Sequence, residues 1–178
     1  MKFLERPYAI TDVETTGTNF RIHEILEIGL VIAHPDTLDI LDTLAIKIKP
    51  AHIETATEEA LKVNGYNEKD WVGAVALTEA MKNYAQNAKD AIFAAHNVTF
   101  DWGFIDEAFQ KTGVRNLMDY HRIDTWTVAY EKLRTRGLDK FSLKDLCIYL
   151  GIEPEPPVHK AINGAMKTRE IWEKLRSL

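Results

Sequence analysis

The stretch Tyr8-Ala9-Ile10-Thr11-Asp12-Val13-Glu14-Thr15-Thr16-Gly17 is a short β-prone apolar run that ends in two carboxylates and a Thr-Thr-Gly turn. Side chains alternate between the two faces of a strand, so Asp12 and Glu14 project from the same face, about 7 Å apart along the chain. Two neighbouring carboxylates repel each other unless a cation lies between them, and Mg²⁺ and Mn²⁺ are the usual occupants of such pairs. The pair alone is also typical of a solvated strand end. The rest of the chain has to show whether it is a metal site or a solvated strand end.

The apolar pattern after this stretch predicts an α/β domain with a five-stranded mixed sheet and helices on both faces. Runs rich in Ile, Leu and Val predict strands at 25–33 and 41–48, joined by a turn at 34–36. Shorter strands at 91–95 and within 121–125 are predicted to lie parallel to the first strand, whereas strands one to three are antiparallel. Helices are predicted over 55–63, 74–88, 125–132, 143–150 and in the C-terminal segment from Ala165, with Thr55, Asp124 and Ser142 as N-caps.

The bulk composition predicts one globular domain over residues 1–178. A chain of this length that is 46% hydrophobic and 28% charged can bury a core of its own. No apolar run has the length of a signal peptide or a membrane span, which predicts a soluble cytoplasmic protein with no membrane partner. Cys147 is the only cysteine, so an internal disulfide and a cysteine-based zinc site are both excluded, and its neighbours predict a buried helical position.

The net charge of −5 is unfavourable for binding a polyanion. The segment from Lys111 to Lys144 is an exception, because it holds eight basic residues against four acidic ones. This segment is either a positive patch for phosphates or a pair of solvated helix faces with a loop between them. The sequence leaves both interpretations open.

Three motifs, taken in chain order, resemble those of the DEDDh 3′→5′ exonucleases, a DnaQ-like family on a ribonuclease H-like fold. The stretch 12–17, with Glu27-Ile28-Gly29 after it, resembles the first motif. His96-Asn97-Val98-Thr99-Phe100-Asp101 resembles the second, in which the Asp opens a helix and faces the paired carboxylates. His159, with Ala161 and Ala165, resembles the third, His-x-Ala-x-x-Asp-Ala. The family includes proofreading subunits of bacterial replicative polymerases, RNase T and oligoribonuclease.

The resemblance implies a two-metal phosphodiester hydrolase that releases 5′-mononucleotides from the 3′ end of single-stranded DNA or RNA. Asp12, Glu14 and Asp101 are then the ligands of Mg²⁺ or Mn²⁺, and His159 is the general base. These four residues form the expected catalytic set. Weaker candidates for contacts to the terminal nucleotide are Thr15, Thr16, Phe100 and Asn64, the last of which stands where the family usually has a His before Gly.

One position departs from the family pattern, because Gly164 stands where the fourth carboxylate is expected. Asn163 cannot take its place, since one residue along a helix turns the side chain by about 100°. We therefore expect a slow or inactive exonuclease, whether the glycine is natural or introduced. The alternatives are a non-catalytic module that binds nucleic-acid ends and a domain that docks on a DNA polymerase, and the motifs do not choose between DNA and RNA.

Overall fold

The computed structural model describes residues 2–178, which form the predicted five-stranded mixed sheet. The strands are β1 Tyr8–Thr15, β2 Ile25–Ala33, β3 Ile40–Lys47, β4 Ile92–Ala95 and β5 Arg122–Asp124. Their spatial order is β3-β2-β1-β4-β5. β1, β2 and β3 pair antiparallel, whereas β4 is parallel to β1 and β5 is parallel to β4. This is the ribonuclease H-like arrangement that the sequence predicts.

Helices cover both faces of the sheet. Within the described residues they are α1 Glu58–Asn64, α2 Leu77–Asn87, α3 Val98–Thr112, α4 Thr125–Leu133, α5 Leu143–Leu150 and α6 Ala161–Arg176. One face packs against α2 and α3, in a core that includes Ile28, Phe93 and Tyr84. The other face packs against α6 through residues such as Ile10, Ala94 and Trp172. The helices of the described chain are all too short or too polar to cross a bilayer.

Alternation along β1 decides which helix meets the two acids. Asp12 and Glu14 have the same parity as Ile10, so they project toward the face that α6 covers. Their cross-strand partners on β2 are Gly29 and Glu27. The C-terminal helix is therefore the element that closes the space above the acids.

The start of α6 lies directly on β2. A Cβ atom at Gly29 would overlap the backbone of Ala161 and Ile162, so this close approach requires a glycine. Glu27 supports the same contact, because its Oε2 accepts a hydrogen bond from the Ala161 amide at 3.3 Å. α6 is consequently fixed to the sheet at its first turn, next to the acids of β1.

Several local predictions are confirmed. Ser142 and Asp124 cap α5 and α4 by accepting hydrogen bonds from Asp145 N and Trp126 N, both at 3.2 Å. Cys147 is buried in α5. Asp124 also accepts from two amides of the β4–α3 turn, which gives it the structural role assigned to it.

Three predicted helix starts are wrong. Thr57, not Thr55, caps α1, because the Thr55 hydroxyl donates to His52 O and closes a separate 3₁₀ turn. α2 begins at Leu77 rather than at residue 74, since Val75 forms a parallel bridge with Ile48. α6 begins at Ala161, four residues before Ala165, because its first turn is held by the sheet.

Candidate active site

A cavity of about 380 Å³ lies where β1 ends and the paired carboxylates project. Its walls hold six of the residues singled out from the sequence, together with Glu155 and an apolar group. The predicted residues are Asp12, Glu14, Thr15, Asn64, Phe100 and His159, and the apolar group includes Val63 and Leu143. The three motifs therefore meet at one place.

Asp101 lies beneath this cavity and reaches the backbone between the two acids of β1. Its Oδ1 accepts a hydrogen bond from Val13 N at 3.0 Å, and the residue is 3% exposed. The turn before α3 places it there, since Asn97 adopts a left-handed conformation (φ 68°) held by Asp124 Oδ1. A non-glycine residue in this region of backbone space is strained, and such strain is common at functional sites.

Burial and mutual repulsion perturb the acids of the cavity. Burial raises the pKa of Glu14 to about 7, and repulsion from Glu155 and then Glu27 adds to the effect. Burial, followed by repulsion from Asp101 and Glu14, also raises the pKa of Asp12 well above its usual value. The pKa of Asp101 is raised by burial too, partly offset by its hydrogen bond from Val13. A bound cation would stabilise the ionised form of carboxyl groups whose pKa is raised in this way.

The α6 side of the cavity lacks a carboxylate at the expected position. Gly164 is buried, and a Cβ atom built on it would lie 2.6 Å from both Cγ and Oδ2 of Asp12. The Asp12 carboxylate thus fills the space in which a side chain at position 164 would begin. A side chain at position 164 would therefore require the Asp12 carboxylate to shift.

His159 follows a proline-rich loop and forms part of the cavity wall. Its amide donates to Val63 O at 3.0 Å, which ties the loop to the end of α1, while its side chain is exposed. Pro154, Pro156 and Pro157 restrict the backbone just before it. The imidazole is accordingly presented at the mouth of the cavity by a segment with little conformational freedom.

The candidate substrate contacts have different surroundings. Phe100 lines the cavity and packs on Phe104 at 5.1 Å between ring centroids, so it offers a supported aromatic wall. Thr15 and Asn64 also line it, but Asn64 Nδ2 donates to Thr15 O at 3.0 Å, which is a bond that holds the wall together. Thr16 is fully buried outside the cavity lining, and its hydroxyl accepts from Glu24 N at 2.8 Å.

The chemistry of the cavity suits divalent cations, although the ligands are not preassembled. Among residues 2–178, no three His, Cys, Asp or Glu side chains are arranged to hold an ion as they stand. The Asp12 carboxylate lies against Gly164, and Asp101 Oδ1 accepts a hydrogen bond from Val13 N at 3.0 Å. The buried Oε1 of Glu155 has no hydrogen-bond partner in the described chain, whereas Glu27 Oε1, which also lacks a hydrogen bond, forms an ion pair with Lys160 Nζ at 3.5 Å. Hard oxygen donors that lack partners fit Mg²⁺ or Mn²⁺.

Sequence reasoning missed Glu155, because no motif or periodicity connects it to Asp12 or Glu14. It lies four residues before His159, in the proline-rich loop, and it lines the same cavity. Burial raises its pKa, partly offset by the neighbouring His159 and Lys167. The only signal in the sequence is that Glu155 lies between prolines shortly before His159, and this does not show that its side chain borders the cavity.

The basic segment from Lys111 to Lys144 is only partly free to bind phosphates. Arg122 stacks on Trp102 at 3.6 Å, and Lys132 donates to Leu175 O at 2.6 Å, so both serve the fold. Lys144 is exposed and lines a groove that also contains Glu155 and His159. Lys144 is therefore an exposed basic residue of this segment that lies beside the candidate site.

Comparison with known proteins identifies the family to which these features belong. The model of the RNase T exonuclease family matches residues 9–171. The PolC-type DNA polymerase III of Staphylococcus aureus strain bovine RF122 / ET3-1 is 31% identical over 106 residues, which is 60% of this chain. The same polymerase from strain MW2 gives the same identity and length. The matched segment covers only 7% of these polymerases.

Solved structures share the whole fold. Exonuclease I from Methylocaldum szegediense superposes with a TM-score of 0.81 at 17% identity, over 97% of this chain and 40% of that one. E. coli Exonuclease I in complex with a dA16 oligonucleotide gives 0.82 at 16% identity, over 97% and 41% of the two chains. At these identities the likeness establishes the architecture.

Proposed function

Because this chain belongs to the RNase T exonuclease family, we propose that it is a metal-dependent 3′→5′ exonuclease that releases 5′-mononucleotides from single-stranded nucleic acid. The observation that carries the proposal is the cavity in which Asp12, Glu14 and His159 meet, with Asp101 bonded to the backbone beneath it. These residues come from three distant parts of the sequence. Their convergence is what the hydrolysis of a terminal phosphodiester requires.

Asp12, Glu14 and Asp101 would hold Mg²⁺ or Mn²⁺, which when bound supplies Lewis acidity and lowers the pKa of water. His159 accepts the proton from the attacking water, because its exposed imidazole lies at the mouth of the same cavity. Phe100 and Leu143 form an apolar wall on which the terminal base can stack. Lys144, on the adjoining groove, lies where it can contact the phosphate of the next nucleotide.

Gly164 limits this chemistry, since three ligands of the family set are present and the fourth is not. Disturbing a residue that merely supports a metal ligand commonly costs about 10- to 100-fold in affinity or activity, so the loss of a ligand costs at least as much. The rate of this enzyme is consequently low unless another side chain takes the place of residue 164.

The experiment is nucleotide release from labelled single-stranded DNA and RNA with Mn²⁺. Labels at the 3′ end should appear first as 5′-mononucleotides, and a blocked 3′ end should prevent their release. Endonucleolytic fragments, or equal release by Asp12→Asn and the unchanged chain, would contradict the proposal.

A non-catalytic end-binding module is the second candidate. The absence of a side chain at Gly164 favours it, because the family's fourth carboxylate ligand is missing there. Strand binding and nucleotide release measured on the same sample separate the two functions. Binding without release in Mn²⁺ would support the module and exclude the enzyme.

Docking on a DNA polymerase is a third role, and it is supported by the similarity to a segment of PolC-type polymerases. A docking role is compatible with exonuclease activity and with non-catalytic end binding. Co-migration of the purified chain with a replicative polymerase in size-exclusion chromatography tests it, and separate elution would count against it.

A further inference from the structure

The α6 side of the cavity lacks the fourth acid of the family set, and residue 164 cannot provide one. Gly164 contributes no side-chain ligand, and the Asp12 carboxylate lies against it. A carboxylate that completes the set must therefore reach the cavity from another segment. Two glutamates outside the family's ligand positions lie close enough to raise the pKa of both Asp12 and Glu14, namely Glu27 and Glu155.

Glu27 is already committed to the fold. Its Oε2 accepts from the Ala161 amide at 3.3 Å, and its Oε1 lies 3.5 Å from Lys160 Nζ. The side chain is 8% exposed and fixes the first turn of α6 to β2. Moving it into the cavity would break the contact that positions α6, so it is a poor candidate for a ligand.

Glu155 has no such commitment. Its Oε1 is buried and has no hydrogen-bond partner within residues 2–178, which is costly for a carboxylate oxygen. Lys167, a nearby cation, bonds to Glu170 instead, at 3.1 Å. A side chain that borders the metal-binding cavity and has an unsatisfied buried oxygen is placed to accept a cation.

The loop also holds Glu155 in position. Pro154 and Pro156 flank it directly, and each proline fixes its own φ angle and restricts the residue before it. The His159 amide then anchors the end of the segment to Val63 O. A ligand on such a loop loses little conformational entropy when an ion binds.

We propose that Glu155 supplies the fourth carboxylate ligand of this site, in place of a side chain at residue 164. The inference rests on the proposed function, because it concerns the same metal site. It adds a ligand from a loop that the family motifs do not include. It also replaces the expectation of an inactive protein with that of a rearranged but working site.

The experiment is a Mn²⁺ titration of the purified chain, followed by calorimetry and by the electron paramagnetic resonance of free Mn²⁺. Glu155→Gln should weaken Mn²⁺ binding by about 10- to 100-fold or abolish one of two binding events. The matched control is Glu153→Gln, which removes one exposed charge from the same loop and should change the affinity by no more than about twofold. At about 0.5 M salt the difference between the two variants should persist, because distant attraction is screened and direct ligation is not.

Melting temperatures in EDTA provide a second measurement. Without metal, Glu155→Gln should melt higher than the unchanged chain, because it removes an unpaired buried charge, whereas Glu153→Gln should not. Equal Mn²⁺ affinity in Glu155→Gln and the unchanged chain would overturn the role of Glu155 and leave the proposed function intact. No Mn²⁺ binding by the unchanged chain would overturn both.

Discussion

The strand side and the helix side of the cavity are built in different ways. On the strand side, Asp12 and Glu14 project from β1, and Asp101 is bonded to the backbone between them. On the helix side, the loop before α6 contributes Glu155 and His159, while α6 itself contributes a glycine at position 164. The strand side retains the three carboxylates that the family pattern predicts, two from β1 and one from the start of α3. The helix side can vary, since a ligand presented by a loop can be replaced from a neighbouring position.

The largest expected effect tests the strand side. Asp12→Asn should abolish Mn²⁺ binding and lower nucleotide release by roughly 10³-fold or more, because the ion contributes several kcal/mol and each 1.36 kcal/mol is tenfold. Calorimetry and a release assay measure the two losses. Asp42→Asn, on an exposed position of β3, is the control and should behave like the unchanged chain. Full activity in Asp12→Asn would show that the strand side of the cavity takes no part in nucleotide release.

The second prediction separates the two sides by function. His159→Gln should reduce nucleotide release on the order of 10²-fold and leave Mn²⁺ affinity unchanged, since a general base accepts a proton and does not hold the ion. The exposed His52 pairs with Glu54; His52→Gln serves as the control. Loss of Mn²⁺ binding in His159→Gln would mean that the histidine is a ligand instead.

The third prediction concerns pH and the metal-free protein. The pKa of Glu14 is raised from its ordinary value of 4.5 to about 7. Protonation of Glu14 therefore contributes its full stabilisation to the fold below pH 4.5, and this contribution is lost as the pH rises through 7. In EDTA the free energy of unfolding should therefore fall between pH 4.5 and 7.5. Glu155 and Glu27 add to this loss, and Lys160 opposes it.

Replacing Glu14 with Gln should reduce this pH dependence by the share that Glu14 contributes, while the raised pKa values of Asp12 and Asp101 maintain the remainder. At pH 8 in EDTA the variant should be more stable by on the order of 3 kcal/mol, since each pKa unit is worth about 1.4 kcal/mol. Urea unfolding at several pH values measures it, with Glu153→Gln as the control. An identical pH slope in Glu14→Gln would show that the charge of this residue is not what destabilises the strand side.

The fourth prediction tests whether Glu155 replaces the missing ligand on the helix side. Glu155→Gln should lower nucleotide release by about 10- to 100-fold. Gly164→Asp alone should change it by only about twofold, because the ligand position is already served and Asp12 must move to admit the new Cβ atom. In the Glu155→Gln background, Gly164→Asp should restore most of the loss, which is a coupling that a double-mutant cycle measures.

The opposite result has a clear meaning. If Gly164→Asp alone raised nucleotide release by about 10-fold or more, the fourth ligand would have been absent all along. The helix side of the cavity would then lack a fourth ligand, and Glu155 would not have replaced it.

The sheet could be predicted from the sequence because its signals are local. The run from Ile25 to Ala33 is buried at every position, and its β-branched residues and the following turn are sufficient to define it. Helix starts were harder, since Thr55 and Thr57 are equally good caps and the choice depends on where the preceding 3₁₀ turn closes. Tertiary contacts decided the starts of α2 and α6.

The site was predictable where motifs exist. The pairing of Asp12 with Glu14 follows from strand periodicity, and the role of Asp101 followed from the resemblance. The position of Glu155 could not be predicted, because it depends on how the proline-rich loop crosses the end of α6. The close contact of the Asp12 carboxylate with Gly164 is likewise a tertiary contact that no spacing encodes.

The contact of α6 with β2 also determines when the cavity is completed during synthesis. Ala161 bonds to Glu27 and passes over Gly29, so residues separated by more than a hundred positions must meet before the cavity has two walls. A chain still emerging from the ribosome carries the acids of β1 long before the segment that encloses them. The proposed nuclease activity should therefore require that α6 has docked on β2, because only then does the cavity have both of its walls.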